Sequence, residues 1–383
     1  MNILFLVQAD PFETIAGTEI FVKDLSLELL KLDCNIHILY SSTSHIQQTV
    51  CKQNITLHGL THRRIWLIGG LQYNLKLKGA LARLLNKCKF DVVGCHGAGQ
   101  AYAFSKIKKS NRPLLLYHAH DCMVSEYSCR KNISAKYRLA DFFRYKILIG
   151  MEESACTHAN LIIANSYATR EALQESYAVP REKIRTIYLG IPDDYANGFK
   201  TIEPEIPTFL HIATNHERKG TRYLLEAMRI LREKHQINAK ALIVGKKDPY
   251  YIHMIEQMGV NASFIDHLPE AMLKKLYASC TCLVVPSLRE GFCLPVIEAA
   301  SFEKPSIVTD TGSLPELVSD RETGFIVNVC DASGLADKMY LVAVDGNLRR
   351  KIGANAKKRS QLFKISTIAR KTVSTYSSLL LRN

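Results

Sequence analysis

The fold of the second half of this chain is decided by the stretch REGFCLPVIEAA, residues 289–300. An apolar, β-branched run, Cys282 to Pro286, precedes it and predicts a short buried strand. Pro295 suits the first turn of a helix, because its missing N–H costs nothing there. The stretch therefore predicts a strand, a loop that carries Glu290, and a helix that carries Glu298 in its second turn.

The start of this helix is a candidate anion site. The free amides of Phe292, Cys293 and Leu294 would point above the strand, where an anion is stabilised. If the anion is a diphosphate, Glu290 can reach a sugar hydroxyl on one side, and Glu298 can accept from ribose hydroxyls on the other. The pattern favours a nucleotide-sugar site over an ordinary strand-loop-helix unit whose second glutamate is solvated.

These two glutamates, separated by seven residues, with Glu-Gly-Phe in front and Glu-Ala behind, resemble the signature of retaining glycosyltransferases of family four (glycosyl transferases group 1). The resemblance implies the α/β GT-B fold, with two doubly wound Rossmann-like domains and the active site in the cleft between them. It also implies a hexosyl-type transfer that retains the anomeric configuration, with a nucleotide-diphosphate sugar as donor and no tightly bound cofactor or metal. The chain contains no Asp-x-Asp motif.

A second matching segment is ATNHERKG, residues 213–220. In the family, a basic pair at this place neutralises the donor diphosphate as it departs. Lys219 matches this pattern and is a candidate catalytic and donor-binding residue. The arginine that members often place five or six residues earlier is absent, so Arg218 is the nearest substitute. Further donor contacts are expected from Gly291 in the loop and from His267, although Asp266 stands where a glycine commonly precedes the base loop.

The first half of the chain carries two further matches. The segment Ala16 to Glu19 resembles the family's glycine pair. Ala16 replaces one of the two glycines, so Gly17 is the expected donor contact. His120, after a predicted strand at 113–118, resembles the histidine near the C6 hydroxyl of the donor sugar. His96 and His118 are rivals for that role. The resemblance therefore names Glu290, His120 and Lys219 as the catalytic residues.

Composition limits the class of protein. A length of 383 residues, with 47% hydrophobic residues, predicts two globular domains, each with its own core. No apolar run is long enough for a membrane span. The N-terminus lacks a basic leader and is interpreted as a first strand. Eleven scattered cysteines without metal-type spacing indicate reduced thiols in a cytosolic protein.

A net charge of +14 predicts a negatively charged binding partner. One basic cluster lies in residues 62–89 and alternates with leucines, and another lies in residues 130–146 and alternates with aromatic residues. The first predicts either an amphipathic helix on anionic lipid or a core-packed helix with a solvated basic face. Nucleic acid is disfavoured, because no nucleic-acid-binding motif accompanies the charge.

Strands and helices alternate along the chain, which indicates parallel sheets. We expect an N-terminal, acceptor-side domain at 1–195, a proline-rich linker at 196–207, and a nucleotide-sugar-binding domain at 208–360. The last segment, 361–383, is predicted as a helix that packs back on the first domain. Such domains place ligands at the carboxyl ends of their strands.

Two other functions compete with this prediction. The run GCHGAG, residues 94–99, resembles a dinucleotide fingerprint, but its spacing is wrong and no acidic residue lies at the end of a second predicted strand about twenty residues on. An NAD-dependent dehydrogenase is therefore the weaker alternative. The stronger is a nucleotide-sugar-binding protein that kept the fold and lost catalysis.

The hypothesis from sequence is an enzyme that builds a cell-envelope polysaccharide such as lipopolysaccharide, O-antigen or capsule. Its acceptor would be a glycan or a lipid-linked glycan, and its location cytoplasmic, peripheral on the inner face of the membrane, where the basic surfaces would contact anionic lipid.

Overall fold

The computed structural model describes residues 1–14, 16–42, 49–61, 69–107, 112–133, 138–266 and 268–382; over 69–75, 130–133 and 138–141 it describes the backbone alone. The chain forms two compact units. The first comprises Met1–Ser128, Ser134–Pro192 and Ile365–Asn383. The second comprises Asp193–Lys364, to which the short segment Cys129–Ile133 is assigned.

The first unit alternates strands and helices. Its strands are β1 (Asn2–Leu6), β2 (Asn35–Ser42), β3 (Thr49–Lys52), β4 (Ile55–Thr61), β5 (Val92–Cys95), β6 (Leu114–Ala119), β7 (Leu161–Ala164) and β8 (Ile184–Thr186). Its helices before the second unit are α1 (Gly17–Leu30), α2 (Gly69–Lys87), α3 (Ala98–Ser105), α4 (Met123–Ile133), α5 (Arg138–His158) and α6 (Tyr167–Tyr177).

The sheet of the first unit has the strand order β3-β4-β2-β1-β5-β6-β7-β8, and every neighbouring pair is parallel except β3 with β4. The order reverses between β1 and β5, so the loops after these strands flank a topological switch point. The hairpin β3–β4 was not among the predicted elements. All four residues of β3 are exposed, so the strand lacks an apolar pattern; Gln53 and Asn54 turn the chain with positive φ.

Helix α2 favours the core-packed interpretation of the basic cluster in residues 62–89. Leu77, Leu81 and Leu84 are buried in the core of the first unit, whereas Lys76 and Lys78 are exposed. The leucines therefore stabilise the unit, and the lysines form a solvated face. The other members of this cluster at residues 62–68 lie outside the described residues.

The second unit repeats the alternation. Its strands are β9 (Thr208–Ile212), β10 (Lys240–Val244), β11 (Ala262–Ile265), β12 (Cys282–Val285), β13 (Ser306–Thr309) and β14 (Gly324–Val327). Its helices are α7 (His216–Lys219), α8 (Thr221–Glu233), α9 (Pro249–Met258), α10 (Glu270–Ser279), α11 (Leu294–Ser301), α12 (Leu314–Leu317), α13 (Ala332–Val344) and α14 (Gly346–Ser360).

The strand order of the second sheet is β11-β10-β9-β12-β13-β14, and all pairs are parallel. This is the doubly wound order of a Rossmann-like domain. All four residues of β12 and of β13 are buried, because helices cover both faces of a parallel sheet. The predicted fold class, two parallel-sheet Rossmann-like domains, is confirmed.

The last helix, α15 (Ile365–Leu380), belongs to the first unit. The backbone N–H of Ile365 donates to the carbonyl of Ile191 at 2.8 Å. The stretch expected as a linker, 196–207, belongs to the second unit instead, where the N–H of Ile202 donates to the carbonyl of Ala278 at 2.9 Å. Within the described part of the chain, no helix is both long and apolar enough to span a bilayer.

Candidate active site

Three loops meet at the carboxyl edge of the second sheet. They follow β9, β12 and β13, which are neighbours in the sheet. The strand order reverses at β9, which is where doubly wound sheets open a crevice for ligands. The loops after β9 and β12 carry the basic pair and Glu290 that the sequence predicted to act together.

Glu290 is the centre of a buried polar cluster. Its side chain is almost fully enclosed. Lys219 Nζ lies 2.7 Å from its Oε1, and Arg218 Nη1 lies 3.3 Å from its Oε2. The hydroxyl of Ser287 also donates to Oε1 at 2.7 Å. The structure thus brings Glu290, Lys219 and Arg218 together, as predicted, and adds Ser287, which sequence reasoning missed.

The cluster keeps Glu290 ionised. Burial opposes its charge, but the positive charges of Lys219 and Arg218, with the hydrogen bonds from Lys219 and Ser287, outweigh burial and lower the pKa of Glu290 below its usual range. A carboxylate and two cations therefore share a confined space, which leaves the cluster with a net positive charge.

Local capping fixes the position of Arg218. The side chain of Asn215 caps α7 and accepts from the backbone N–H of Arg218 at 3.1 Å. The Arg218 guanidinium donates to the carbonyl of Arg289 at 2.8 Å, and the N–H of Leu288 donates to the carbonyl of Arg218 at 2.8 Å. The loops after β9 and β12 are therefore joined by hydrogen bonds in both directions.

Two glycines permit the close approach of these loops. Gly220 has φ +71°, and a Cβ there would lie 1.9 Å from the carbonyl oxygen of Pro286. Gly312 has φ +53°, and a Cβ there would lie 2.0 Å from the carbonyl oxygen of Glu290. A side chain at either position would meet both backbone strain and a backbone clash. The next residue, Ser313, donates its N–H to that same Glu290 carbonyl at 3.1 Å.

Glu298 lies in α11, as predicted, and is mostly buried. The hydroxyl of Tyr277 donates to its Oε2 at 2.6 Å. Tyr277 is fully buried and stacks on Phe302, with ring centroids 5.9 Å apart. Tyr277 is a second residue that sequence reasoning missed, because a tyrosine in an amphipathic helix is usually an ordinary core residue.

The residues at the start of α11 turn their side chains into the unit. Phe292, Cys293 and Leu294 are all buried, and Cys293 is the N-cap of the helix. Burial, the largest effect, raises the pKa of the Cys293 thiol to about 12, so the thiol stays neutral. The side chains of these three residues are therefore enclosed in the unit, and Gly291 precedes them in the same loop.

An open pocket of the second unit adjoins the same loops. Asn215, Glu217 and Leu288 line it, together with basic and aromatic residues from the loops and helices nearby. Those residues are His216, Arg222, Tyr223, Lys246, Lys247, Tyr250 and Tyr251. Its mixture of cations and aromatic rings suits a phosphorylated aromatic ligand. His267, the predicted base contact, lies outside the described residues.

In the first unit, the predicted residues Gly17 and His120 follow β1 and β6. Gly17 is exposed and is the first residue of α1. His120 follows β6, and its Nε2 lies 3.0 Å from Nδ1 of His96. The rings of His96 and His118 are stacked with centroids 4.2 Å apart. The three histidines that competed for one role therefore form one cluster.

The loop that carries His120 is anchored by a buried carboxylate, Glu152 of α5. Its Oε2 accepts from the backbone N–H of Met123 and from the hydroxyl of Tyr177, both at 2.7 Å, and its Oε1 accepts from the hydroxyl of Tyr117 at 2.6 Å. Burial raises the pKa of Glu152 to about 7, against the hydrogen bonds that lower it. No sequence motif indicated this residue.

Two family models match the chain and together span nearly all of it. The Glycosyltransferase Family 4 model matches residues 15–195, and the Glycosyl transferases group 1 model matches residues 198–359. The chain belongs to the group 1 glycosyltransferases of family four. The resemblance inferred from residues 289–300 is confirmed.

Relatives of this glycosyltransferase agree with that assignment. The O-antigen chain mannosyltransferase B of Escherichia coli is 26% identical over 278 residues, which cover 68% of this chain and 69% of the relative. Among solved structures, the sucrose-phosphate synthase of Thermosynechococcus elongatus aligns with a TM-score of 0.86 at 20% identity, with both chains fully covered. HepE of Anabaena in complex with UDP-glucose aligns with a TM-score of 0.76 at 20% identity, covering 99% of this chain and 100% of HepE. The fold is GT-B.

The described residues of this glycosyltransferase contain no group of three or more His, Cys, Asp or Glu side chains arranged to hold a metal ion.

Proposed function

We propose that this glycosyltransferase moves a hexose from a nucleotide-diphosphate donor to a hydroxyl of a glycan or lipid-linked glycan, with retention of the anomeric configuration. The observation that carries the proposal is the cluster of Glu290, Lys219 and Arg218 at the switch point of the second sheet, directly before the helix that holds Glu298. Such a cluster combines a fixed carboxylate with cations that can meet a leaving diphosphate.

In this proposal the donor diphosphate lies against Lys219, Arg218 and the backbone of residues 291–294. Helix α11 begins there, so the positive end of its dipole favours the negative charge that grows on the leaving group. Glu298 binds the ribose hydroxyls. Gly17 allows the backbone to approach the donor closely, because it has no side chain.

The proposed reaction is a front-face displacement. The acceptor hydroxyl forms a bond to the anomeric carbon on the face from which the diphosphate departs, and the departing phosphate oxygen takes the acceptor proton. Glu290 stabilises positive charge on the reacting sugar, and His120 holds a sugar hydroxyl. A double displacement would need a second carboxylate about 5 Å from the first, and the nearest charged partners of Glu290 are the cations Lys219 and Arg218.

A relative supports the proposed acceptor class. The relative from Escherichia coli is an O-antigen chain mannosyltransferase, so we propose a cell-envelope polysaccharide as the product of this chain. The test is a panel of UDP-, GDP- and ADP-sugars, each scored for protection of the protein against thermal unfolding and then for sugar transfer to envelope glycan fractions. Protection with transfer supports the proposal. Protection without transfer to any fraction would favour a nucleotide-sugar-binding protein, and no protection by any nucleotide would contradict both.

We further propose peripheral binding to an anionic membrane surface on the cytoplasmic side. Helix α5 exposes Phe142, Phe143 and Ile147, with exposed fractions of 44%, 58% and 59%, next to the exposed Arg144 and Lys146. Aromatic side chains can enter the headgroup region while each nearby cation contributes about 1 kcal/mol of attraction.

Co-sedimentation with vesicles of phosphatidylglycerol and phosphatidylcholine tests the membrane proposal. The variant Phe143→Ser, Arg144→Glu, Lys146→Glu should stay in the supernatant at low salt. The control Lys351→Glu, Lys358→Glu changes exposed lysines of the second unit by the same charge and should sediment like the wild type. Equal sedimentation of the α5 variant and the control would contradict docking through α5.

A further inference from the structure

His96 after β5, His118 in β6 and His120 after β6 form a continuous contact chain. His96 Nδ1 lies 3.0 Å from His120 Nε2. His96 stacks on His118 with an interplanar angle of 17°, and His118 Nε2 lies 2.6 Å from the hydroxyl of Tyr376 in α15. The ring that the proposed function assigns to the sugar, His120, is thus tied to the interior of the unit through His96.

All three rings are neutral at physiological pH. Burial lowers the pKa of His120 to about 4 and that of His118 to about 3. Burial, with the neighbouring histidines, also lowers the pKa of His96 well below its usual value. Each ring therefore carries one N–H, and the question is which nitrogen holds it.

The contact between His96 and His120 admits two arrangements. Either His96 Nδ1–H donates to His120 Nε2, or His120 Nε2–H donates to His96 Nδ1. In the second arrangement the remaining proton of His96 lies on Nε2. That atom is buried and has no hydrogen-bond partner among the residues that the structure describes.

An unfilled lone pair is tolerated in a protein interior better than an orphaned N–H. The Phe5 ring, whose centroid lies 5.2 Å from that of His96, would be a much weaker acceptor than a nitrogen or an oxygen. The first arrangement is therefore favoured, with the proton of His96 on Nδ1 and an empty lone pair on Nε2.

We propose that His96 is a positioning residue that donates its Nδ1–H to Nε2 of His120 and thereby fixes His120 as the neutral Nδ1–H tautomer. With Nε2 occupied, His120 can meet a ligand only as a hydrogen-bond donor through Nδ1. It then binds an oxygen of the transferred sugar and takes no part in proton transfer. The sugar contact rests on the proposed function; the tautomer does not.

The tautomer is measured directly by long-range ¹H–¹⁵N correlation spectra of the full-length protein with ¹⁵N-labelled histidine. We expect the protonated nitrogen of His120 to be Nδ1. His96→Phe keeps an aromatic ring beside His118 but removes the donor, so His120 should shift toward the Nε2–H form that free histidine prefers. His96→Asn places an amide N–H about where Nδ1 was, so it should restore the Nδ1–H form. An Nε2–H tautomer of His120 in the wild type would overturn the proposal.

Ligand binding separates this proposal from the sugar-contact role. The probes are UDP-glucose and UDP. His96→Phe should weaken the binding of UDP-glucose by about tenfold, the value of one hydrogen bond, and leave the affinity for UDP unchanged. His96→Asn should recover most of that loss. If His120→Ala binds UDP-glucose with the affinity of the wild type, the proposed contact between His120 and the sugar is wrong. The proposed tautomer of His120 is not affected by that result. Equal weakening of both probes by His96→Phe would contradict positioning, because it would indicate a general structural defect.

Discussion

Lys219 Nζ lies 2.7 Å from Glu290 Oε1, and both side chains are buried. The pair joins α7, the one-turn helix after β9, to the loop after β12. Removing one partner of a buried ion pair leaves an uncompensated charge, whereas a conservative change that keeps the hydrogen bonds retains the geometry. A conservative substitution in this pair therefore changes its charge while hydrogen bonds to the remaining partner can be kept.

Glu290→Gln should lower kcat by about 100-fold, because the negative charge proposed to face the reacting sugar is lost. The Michaelis constant for the donor should change little, since the amide can still accept from Lys219 or Ser287. Steady-state kinetics measure both constants. The control is Glu303→Gln, which removes the charge of an exposed pair with Lys357 and should leave both unchanged. A rise in the Michaelis constant alone would indicate that Glu290 stabilises the bound donor and the transition state equally.

Glu298→Ala should weaken nucleoside-diphosphate binding by about 1.5–3 kcal/mol, since ribose hydroxyls lose a charged acceptor. Isothermal titration measures the affinity. Tyr277→Phe keeps the Glu298 carboxylate and removes only the hydroxyl that contacts it. This variant should therefore lose less affinity for the nucleoside diphosphate. Wild-type affinity in Glu298→Ala would show that the ribose lies elsewhere.

Much of this site was predictable from sequence, because it depends on short segments of the chain. The apolar runs of the buried strands show where each strand ends, so the pattern alone gives the positions of the loops. These strands are followed by Glu290, Lys219 and Glu298. Ser287 and Tyr277 could not be predicted, because a serine after a proline and a tyrosine in an amphipathic helix have many ordinary roles. Their contacts depend on how separate βα units pack together.

The first unit was less predictable for a different reason. The sequence offered His96, His118 and His120 as rivals, because strand ends alone do not say which rings touch. The structure shows that they contact each other. The hairpin of β3 and β4 was not predicted because β3 is exposed along its whole length. The linker at 196–207 has the polar, proline-rich composition of a flexible connection, but it packs on the second unit.

Transfer should survive chelation. In the proposed site, Lys219, Arg218 and the amides before α11 meet the charge of the leaving diphosphate, so the reaction does not depend on an added divalent ion. Activity measured with and without EDTA should differ by less than about twofold. Abolition by EDTA with recovery on addition of manganese would refute this assignment.

Glu152 should make stability depend on pH. Its pKa is raised from an ordinary 4.5 to about 7 by burial, so the native state holds a proton that the unfolded state has lost. This contribution is fully present below about pH 4.5 and is lost as the pH rises to about 7, with a total on the order of 3 kcal/mol. Urea unfolding of wild type and Glu152→Gln from pH 5 to 8 tests it. The wild type should lose stability relative to the variant as the pH rises; a constant difference would contradict the raised pKa.

Transfer of a sugar with retention is tested most directly by the configuration of the product. The donor selected by thermal protection is incubated with the glycan fraction that accepts sugar, and the new linkage is examined by NMR through its one-bond anomeric ¹H–¹³C coupling constant. We predict that an α-linked donor gives an α-linked product, and that Glu290→Gln forms the same product more slowly. A β-linked product from an α-linked donor would contradict the proposed mechanism.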